Sequence, residues 1–180
     1  MNPAVLLDVD MTTGTVVRRE IAPDVRRRYI GGTGLGAWIL STELPRDIDP
    51  LGPFNLLLFM TGPFAGTRAP CSGRTSVVSK SPLTGIWGES DVGGRFGEDL
   101  KSLGIDGLMI RGSAETPSVL RIAEGDRAAG EKVSSGEAGT LTARLTSRPD
   151  LWGMDTYETH ERLAAAEDGK LSTMSIGRAG

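Results

Sequence analysis

A chain of 180 residues, 38% hydrophobic and 24% charged, has the length for one domain with a real core and the composition of a globular protein. A net charge of −3 without any long basic run argues against a nucleic-acid partner. No stretch approaches the ~18 consecutive apolar residues of a membrane span, and Asp8 interrupts the N-terminus too early for a secretory signal, so no membrane partner and a cytoplasmic location are expected.

Val5–Val9 and Thr15–Ile21, set around Met11-Thr-Thr-Gly14, predict an opening β-hairpin. Pro23 suits the first turn of a short helix reaching about Tyr29, with Gly31 and Gly32 ending it. Arg26-Arg-Arg28 reads as its solvated, basic end. Leu35, Ile39, Leu40 and Leu44 stand at helical spacing as far as Pro45. Asn55–Met60 predicts a buried strand, and Thr75–Ser79 and Gly85–Gly88 two more. Phe96, Leu100 and Leu103 share one face of a helix over Gly94–Leu103 with Gly104 as its cap, and Gly107–Ile110 and Val119–Ala123 return to strand. From Glu124 to Thr140 the chain is polar and glycine-rich, which predicts loops and one edge strand. Asp155 followed by Glu158 forms a capping-box pattern opening a helix to about Ala166, and Leu171–Ile176 predicts a last strand. With no repeat, linker or low-complexity tract, the expectation is one α+β domain over residues 1–180.

The chemistry concentrates in Ala69-Pro-Cys-Ser-Gly-Arg-Thr-Ser-Val-Val-Ser-Lys-Ser-Pro-Leu-Thr-Gly85 and Asp91-Val-Gly-Gly-Arg-Phe-Gly97. Glycines let a ligand reach the backbone, and backbone N–H groups with a guanidinium make an anion pocket. On composition alone the same residues read as two tight hairpins. Gly32-Thr-Gly-Leu-Gly36 lacks the Gly-x-Gly-x-x-Gly spacing and has no clear strand before it, so it is not a dinucleotide site. Ser72 and Ser76 have a single histidine, His160, to serve as a base, and it lies on the capped helix among charged residues. The one cysteine, Cys71, excludes an internal disulfide framework and a four-thiolate cluster held by these residues alone, and reads as a small buried hydrophobe. Trp38, Trp87 and Trp152 read as core or interface anchors.

Nine segments in register resemble the N-terminal domain of the aldehyde ferredoxin oxidoreductases, the tungstopterin iron–sulfur enzymes. They are Tyr29-Ile-Gly-Gly-Thr-Gly-Leu-Gly36, Asp49-Pro-Leu-Gly-Pro-Phe-Asn55, Thr61-Gly-Pro-Phe-Ala-Gly-Thr67, Ser72-Gly-Arg74 and Ser79-Lys-Ser-Pro-Leu-Thr-Gly85. Gly93-Gly-Arg-Phe-Gly97, Leu100-Lys-Ser-Leu-Gly-Ile-Asp106, Leu151-Trp-Gly153 and Ile176-Gly-Arg-Ala-Gly180 continue the series. The resemblance implies mixed β-sheets forming a saddle-like platform with a few short helices beneath a tungstopterin or molybdopterin.

A pterin dithiolene carries a phosphate, which an arginine fork beside a glycine can grip. The resemblance assigns that contact to Gly73 and Arg74, against the alternative of a surface salt bridge. It places Asp91, Gly93, Gly94 and Arg95 at the family's Asn-Ser-Gly-Gly position and just after it, before a helix. There the family's Asn helps to coordinate a magnesium linking two pterin phosphates, and Ala179 corresponds to the family's second magnesium contact. Asp91 replaces that Asn; its carboxylate could reach the ion directly, since Mg²⁺ favours oxygen ligands, or the residue could simply cap the helix. Arg178 replaces a proline, which alters the turn that carries Ala179.

The implied reaction oxidises an aldehyde to a carboxylic acid and passes electrons through a 4Fe-4S cluster to ferredoxin. The family's cluster cysteines and metal-proximal acid and histidine lie in later domains, so the chain is expected to be truncated before its catalytic and cluster-binding parts, and inactive alone. The alternatives are a stand-alone pterin-, phosphate- or partner-binding domain and a non-functional fragment. Self-association is expected through an exposed rim at Phe64, Ile86 and Trp87.

Overall fold

A computed structural model describes residues 2–125, 131–133, 141–167 and 171–177. Its first strand, β1 (Ala4–Asp10), explains the layering. Ala4 and Leu6 point to one face, Leu7 and Val9 to the other, and all four are buried. A strand apolar on both faces must be covered on both. β2 (Thr15–Ile21), β3 (Leu57–Thr61), β4 (Thr75–Lys80), β5 (Trp87–Val92) and β6 (Gly107–Arg111) join it in a sheet of order β2-β1-β6-β3-β4-β5. Every neighbouring pair is antiparallel except β1 and β6.

One face carries α1 (Pro23–Tyr29) and α2 (Gly32–Glu43). Leu35, Ile39 and Leu40 of α2 meet Leu6, Leu58, Met60, Val78 and Met109 in the first core. The other face carries α3 (Phe96–Ser102) through Leu100, and a small sheet of β7 (Ser118–Glu124), β8 (Glu131–Val133) and β9 (Leu141–Ser147) in the order β7-β9-β8. Leu7, Val9, Leu108, Leu141 and Ala143 make the second core. The expected α+β class with mixed sheets and short helices is what forms. α4 (Thr156–Ala164) opens with the expected capping box: the Asp155 carboxylate accepts from the Tyr157 and Glu158 N–H groups, and Glu158 accepts from the Asp155 N–H. Arg121 of β7 grips Glu167 beyond α4 with two bonds of 2.6 and 2.8 Å, which holds the Glu167 carboxyl below its ordinary range. None of the helices among the described residues is long and apolar enough to cross a membrane.

α2 lies close on the sheet because of Gly36. A Cβ there would stand 2.6 Å from Val78 Cγ2, a buried, β-branched side chain with little freedom to turn. Gly36→Ala is therefore expected to destabilise the chain by about 1–3 kcal/mol through overpacking. Urea unfolding tests this, and Val78→Ala in the same chain should recover part of the loss.

Several expectations are corrected. The strand placed at Gly85–Gly88 runs instead over Trp87–Val92, so Asp91 is a strand residue and not a helix cap; Arg95 precedes α3. Polar edge strands lack apolar alternation, and the backbone pairing to β4 decides β5. Gly32 does not end α1 but begins α2; Ile30, at φ 68°, closes α1. Arg26 is not a solvated helix end, because its side chain is mostly buried against Asp106. Cys71 is exposed, at φ 58°, and Trp152 is 82% exposed, so neither is a core residue. Strand β9 was not foreseen, although Leu141, Ala143 and Leu145 alternate with Thr142, Arg144 and Thr146. Residues 171–177 form no strand; Ser172 Oγ donates to Asp99 Oδ2 of α3, and Thr173 Oγ1 lies 2.8 Å from Nδ1 of the exposed His160 on α4.

Candidate functional site

β3 ends at Thr61, β4 begins at Thr75 and β5 ends at Val92, all at one end of the large sheet, because β3 and β5 both run antiparallel to β4. Both helices that flank this part of the sheet start there. A Cβ on Gly32, the first residue of α2, would lie 3.5 Å from Ser76 Oγ of β4. On the opposite face, a Cβ on Gly97 in the first turn of α3 would lie 2.6 Å from Thr75 Oγ1 and 3.3 Å from the Gly73 carbonyl.

This end gathers most of the sequence-derived site. Arg74, immediately before β4, has a largely exposed guanidinium whose Nη1 is 3.8 Å from Asp91 Oδ2. That is an ion pair but no hydrogen bond. Gly73 packs against the following turn: a Cβ on it would be 3.0 Å from the Gly94 carbonyl and 2.9 Å from Glu98 Oε1. Gly94 sits at φ 98°, where side chains are strained, and both Gly93 and Gly94 face open space. Arg95 projects outward, its Nη2 3.7 Å from Asp99 Oδ1. Twenty residues of sequence separate Arg74 from Gly94, and the pairing of β4 with β5 brings them to the same sheet end. Ala179 lies outside the described residues and so does Arg178.

Two further features were not singled out as site residues in the sequence. Thr75 is fully buried and its hydroxyl has no hydrogen-bond partner among the described residues. Ser76, weighed in the sequence only as a nucleophile, donates from Oγ to Asp91 Oδ1 at 2.9 Å. The Thr33 hydroxyl of the glycine-rich segment lies 3.2 Å from Ser76 Oγ and also contacts Glu89 Oε1. Trp87 Nε1 donates to Glu89 Oε2 at 3.2 Å. Trp87, Glu89 and Asp91 alternate along β5, so one face of that strand carries a polar row running to the site. Of the expected apolar rim, Phe64 and Ile86 are exposed, while Trp87 is partly buried against the first core.

A mixed-sheet domain with an arginine, a glycine turn and a carboxylate gathered at one sheet end is the class of protein these residues form. The comparisons make it specific: the aldehyde ferredoxin oxidoreductase N-terminal domain matches residues 6–180, and the chain belongs to that family. It is 36% identical over 174 residues to the tungsten-containing aldehyde ferredoxin oxidoreductase of Pyrococcus furiosus, covering 96% of this chain and 26% of that protein. It is 45% identical over 162 residues to the WOR-like subunit of an aliphatic sulfonate oxidoreductase from the same organism, covering 88% of this chain and 23% of that one. Among solved structures it is similar to the active-site complex BamBC of benzoyl coenzyme A reductase, with a TM-score of 0.77 and 28% identity, over 91% of this chain and 22% of that one. The chain thus spans about a quarter of the length of the curated relatives it matches.

Proposed function

We propose that residues 1–180 are one domain that serves as the cofactor platform of a tungsten- or molybdenum-pterin oxidoreductase, which oxidises an aldehyde to a carboxylic acid with ferredoxin as acceptor. The observation that carries this reading is the meeting of Gly73, Arg74, Asp91, Gly93 and Gly94 at one sheet end. The donor set fits the phosphate of a pterin cofactor. Arg74 has an exposed fork held by no close bond among the described residues, Gly93 and Gly94 leave room for a ligand against the backbone, and Asp91 is oriented by Ser76 with its Oδ2 facing the Arg74 guanidinium. Arg95, exposed beside them, adds a second positive charge, and Ala179 completes the metal contact by family resemblance.

When bound, the cofactor would supply the two-electron chemistry at its metal. The residues of this chain bind its phosphates and hold the pterin in register; none of them is assigned a proton or an electron to move. With one cysteine, the chain cannot hold a four-thiolate cluster, which belongs to a longer protein. The 180-residue chain is accordingly expected to show no turnover with an aldehyde and a viologen dye. Turnover above the buffer blank, in protein free of iron by elemental analysis, would overturn that assignment of parts.

The platform reading is tested by expressing the chain in tungstate-supplied cells that make the cofactor. Purified protein should carry pterin, read by fluorescence after oxidation, with tungsten in proportion. Absence of both would favour a partner-binding domain. A second reading of the substrate rests on the 45% identity to the WOR-like sulfonate subunit, which supports an organosulfonate and a partner subunit in place of an aldehyde alone.

A further inference from the structure

We propose that the outer edge of β5 is a docking site for an extended strand of another polypeptide. That strand carries lysine or arginine opposite Glu89 and an apolar side chain opposite Gly88, and it extends the large sheet past its present edge.

β5 ends the sheet, with β4 as its one pairing partner among the described residues. The other edge, β2, packs against β8 and β9, so β5 is the open one. The phase of the β4–β5 ladder is fixed at two points. The Ser81 N–H donates to the Ile86 carbonyl at 2.7 Å, and the Lys80 backbone is bonded on its far side, its carbonyl accepting from Asn55 Nδ2 at 3.0 Å. Antiparallel pairs alternate between bonded and non-bonded, so Ser79–Gly88, Val77–Ser90 and Thr75–Val92 carry the bonds between the two strands. The N–H and C=O groups of Trp87, Glu89 and Asp91 therefore face outward. The register is unbroken over all 6 residues, and none is a proline or lysine, the usual guards of an exposed edge.

Side chains decide what docks. Glu89 is exposed, and its two oxygens accept from neutral donors, Trp87 Nε1 at 3.2 Å and Thr33 Oγ1. No cation pairs with it among the described residues, whereas Asp91 already faces Arg74. Glu89 is thus held in place with its charge uncompensated, and an opposite charge across a strand pair is favourable where a like charge is not. A second copy of β5 is disfavoured for that reason: the two antiparallel registers of greatest overlap set Glu89 against itself or against Asp91 of the second copy. Ser76 beside Gly32 and Val78 beside Gly36 mark the face of β4 that α2 covers, so Val77 and Ser79 lie on the other. There, with Pro50, Leu51, Pro82 and Gly88, they line a groove of about 420 Å³. Gly88 puts no side chain in the way of a residue leaning into it. Successive side chains of a strand point to opposite faces, so one added strand presents basic residues to Glu89 and apolar ones to the groove. Main-chain bonds supply its affinity and these two contacts its selectivity.

The test uses the isotope-labelled 180-residue chain and two eight-residue peptides, one alternating lysine with valine, the other glutamate with valine. The lysine peptide should slow amide exchange at Trp87, Glu89 and Asp91, with little change at Gly88, Ser90 and Val92, which are already bonded to β4. The glutamate peptide should protect none of them. Glu89→Lys should weaken the lysine peptide about threefold or more and admit the glutamate peptide. Glu89→Gln, which keeps acceptors for Trp87 and Thr33, should fall between. Equal protection by both peptides would mean apolar adhesion without recognition, and would overturn the proposal. So would the absence of protection by the lysine peptide. Protection that rises with protein concentration alone, with a dimer in sedimentation, would assign the edge to a second copy and overturn it as well. None of these readouts involves the cofactor, so the platform reading stands or falls separately.

Discussion

Asp106→Ala is expected to be among the most damaging single changes in the chain, at about 3–5 kcal/mol of stability, the range for breaking a buried ion pair by removing one partner. The Asp106 carboxylate accepts from Arg26 Nη2 at 3.0 Å, from the Val5 N–H at 2.8 Å, and from Lys101 Nζ. Both cations have side chains only 16% exposed. Removing the carboxylate leaves two shielded positive charges facing each other and a strand N–H without its acceptor. The damage would spread because Asp106 ties three elements to the sheet: α1 through Arg26, α3 through Lys101 and β1 through Val5. Its carbonyl also accepts from the Thr61 N–H at 2.9 Å and from Thr61 Oγ1 at 2.8 Å, at the end of β3 beside the candidate site. Urea unfolding measures the loss. Asp106→Asn should fall between the two, since it keeps an acceptor but not the charge. A loss under 1 kcal/mol for the alanine variant would mean that the cluster contributes no more than a surface pair.

Arg74→Ala should have the largest effect on ligand binding. A charge-assisted bond to phosphate contributes about 1.5–3 kcal/mol, which corresponds to roughly a tenfold to hundredfold loss of cofactor occupancy. Arg74→Lys should recover only part, since an ammonium keeps the charge but loses the two-pronged fork. Stability should hardly change, because the guanidinium is 74% exposed and its ion pair with Asp91 is long. That separation of binding from folding makes the measurement decisive. Pterin and tungsten contents equal to those of the unaltered chain would show that Arg74 is a surface arginine and nothing more.

Legibility differed along the chain for physical reasons. The apolar strands announced themselves, because Leu6, Leu7 and Val9, or Leu58 and Met60, must be buried wherever the chain goes. The capping box at Asp155 was readable because its bonds close within four residues. β5 and β9 were misplaced or missed: β5 is polar and exposed at the sheet edge, and β9 follows a polar, glycine-rich stretch. The pairing energy of β5 comes from β4, which no local period reports, whereas β9 carries a period of two that its polar surroundings obscure.

The candidate site divides along the same line. Resemblance to the family's motifs singled out Gly73, Arg74, Asp91, Gly93, Gly94 and Arg95, because motif identity is a one-dimensional property. Composition could also exclude a cluster within this chain, since a count of one cysteine needs no coordinates. That Arg74 faces Asp91 across a strand pair, and that Asp91 lies in a strand under the hand of Ser76, was decided only by the register of β4 against β5. The fate of Arg26 was settled the same way. In sequence it is one of three arginines at a helix end; in the fold it is the partner of an aspartate 80 positions away. Local chemistry determines which groups are present, and long-range backbone pairing determines which of them meet.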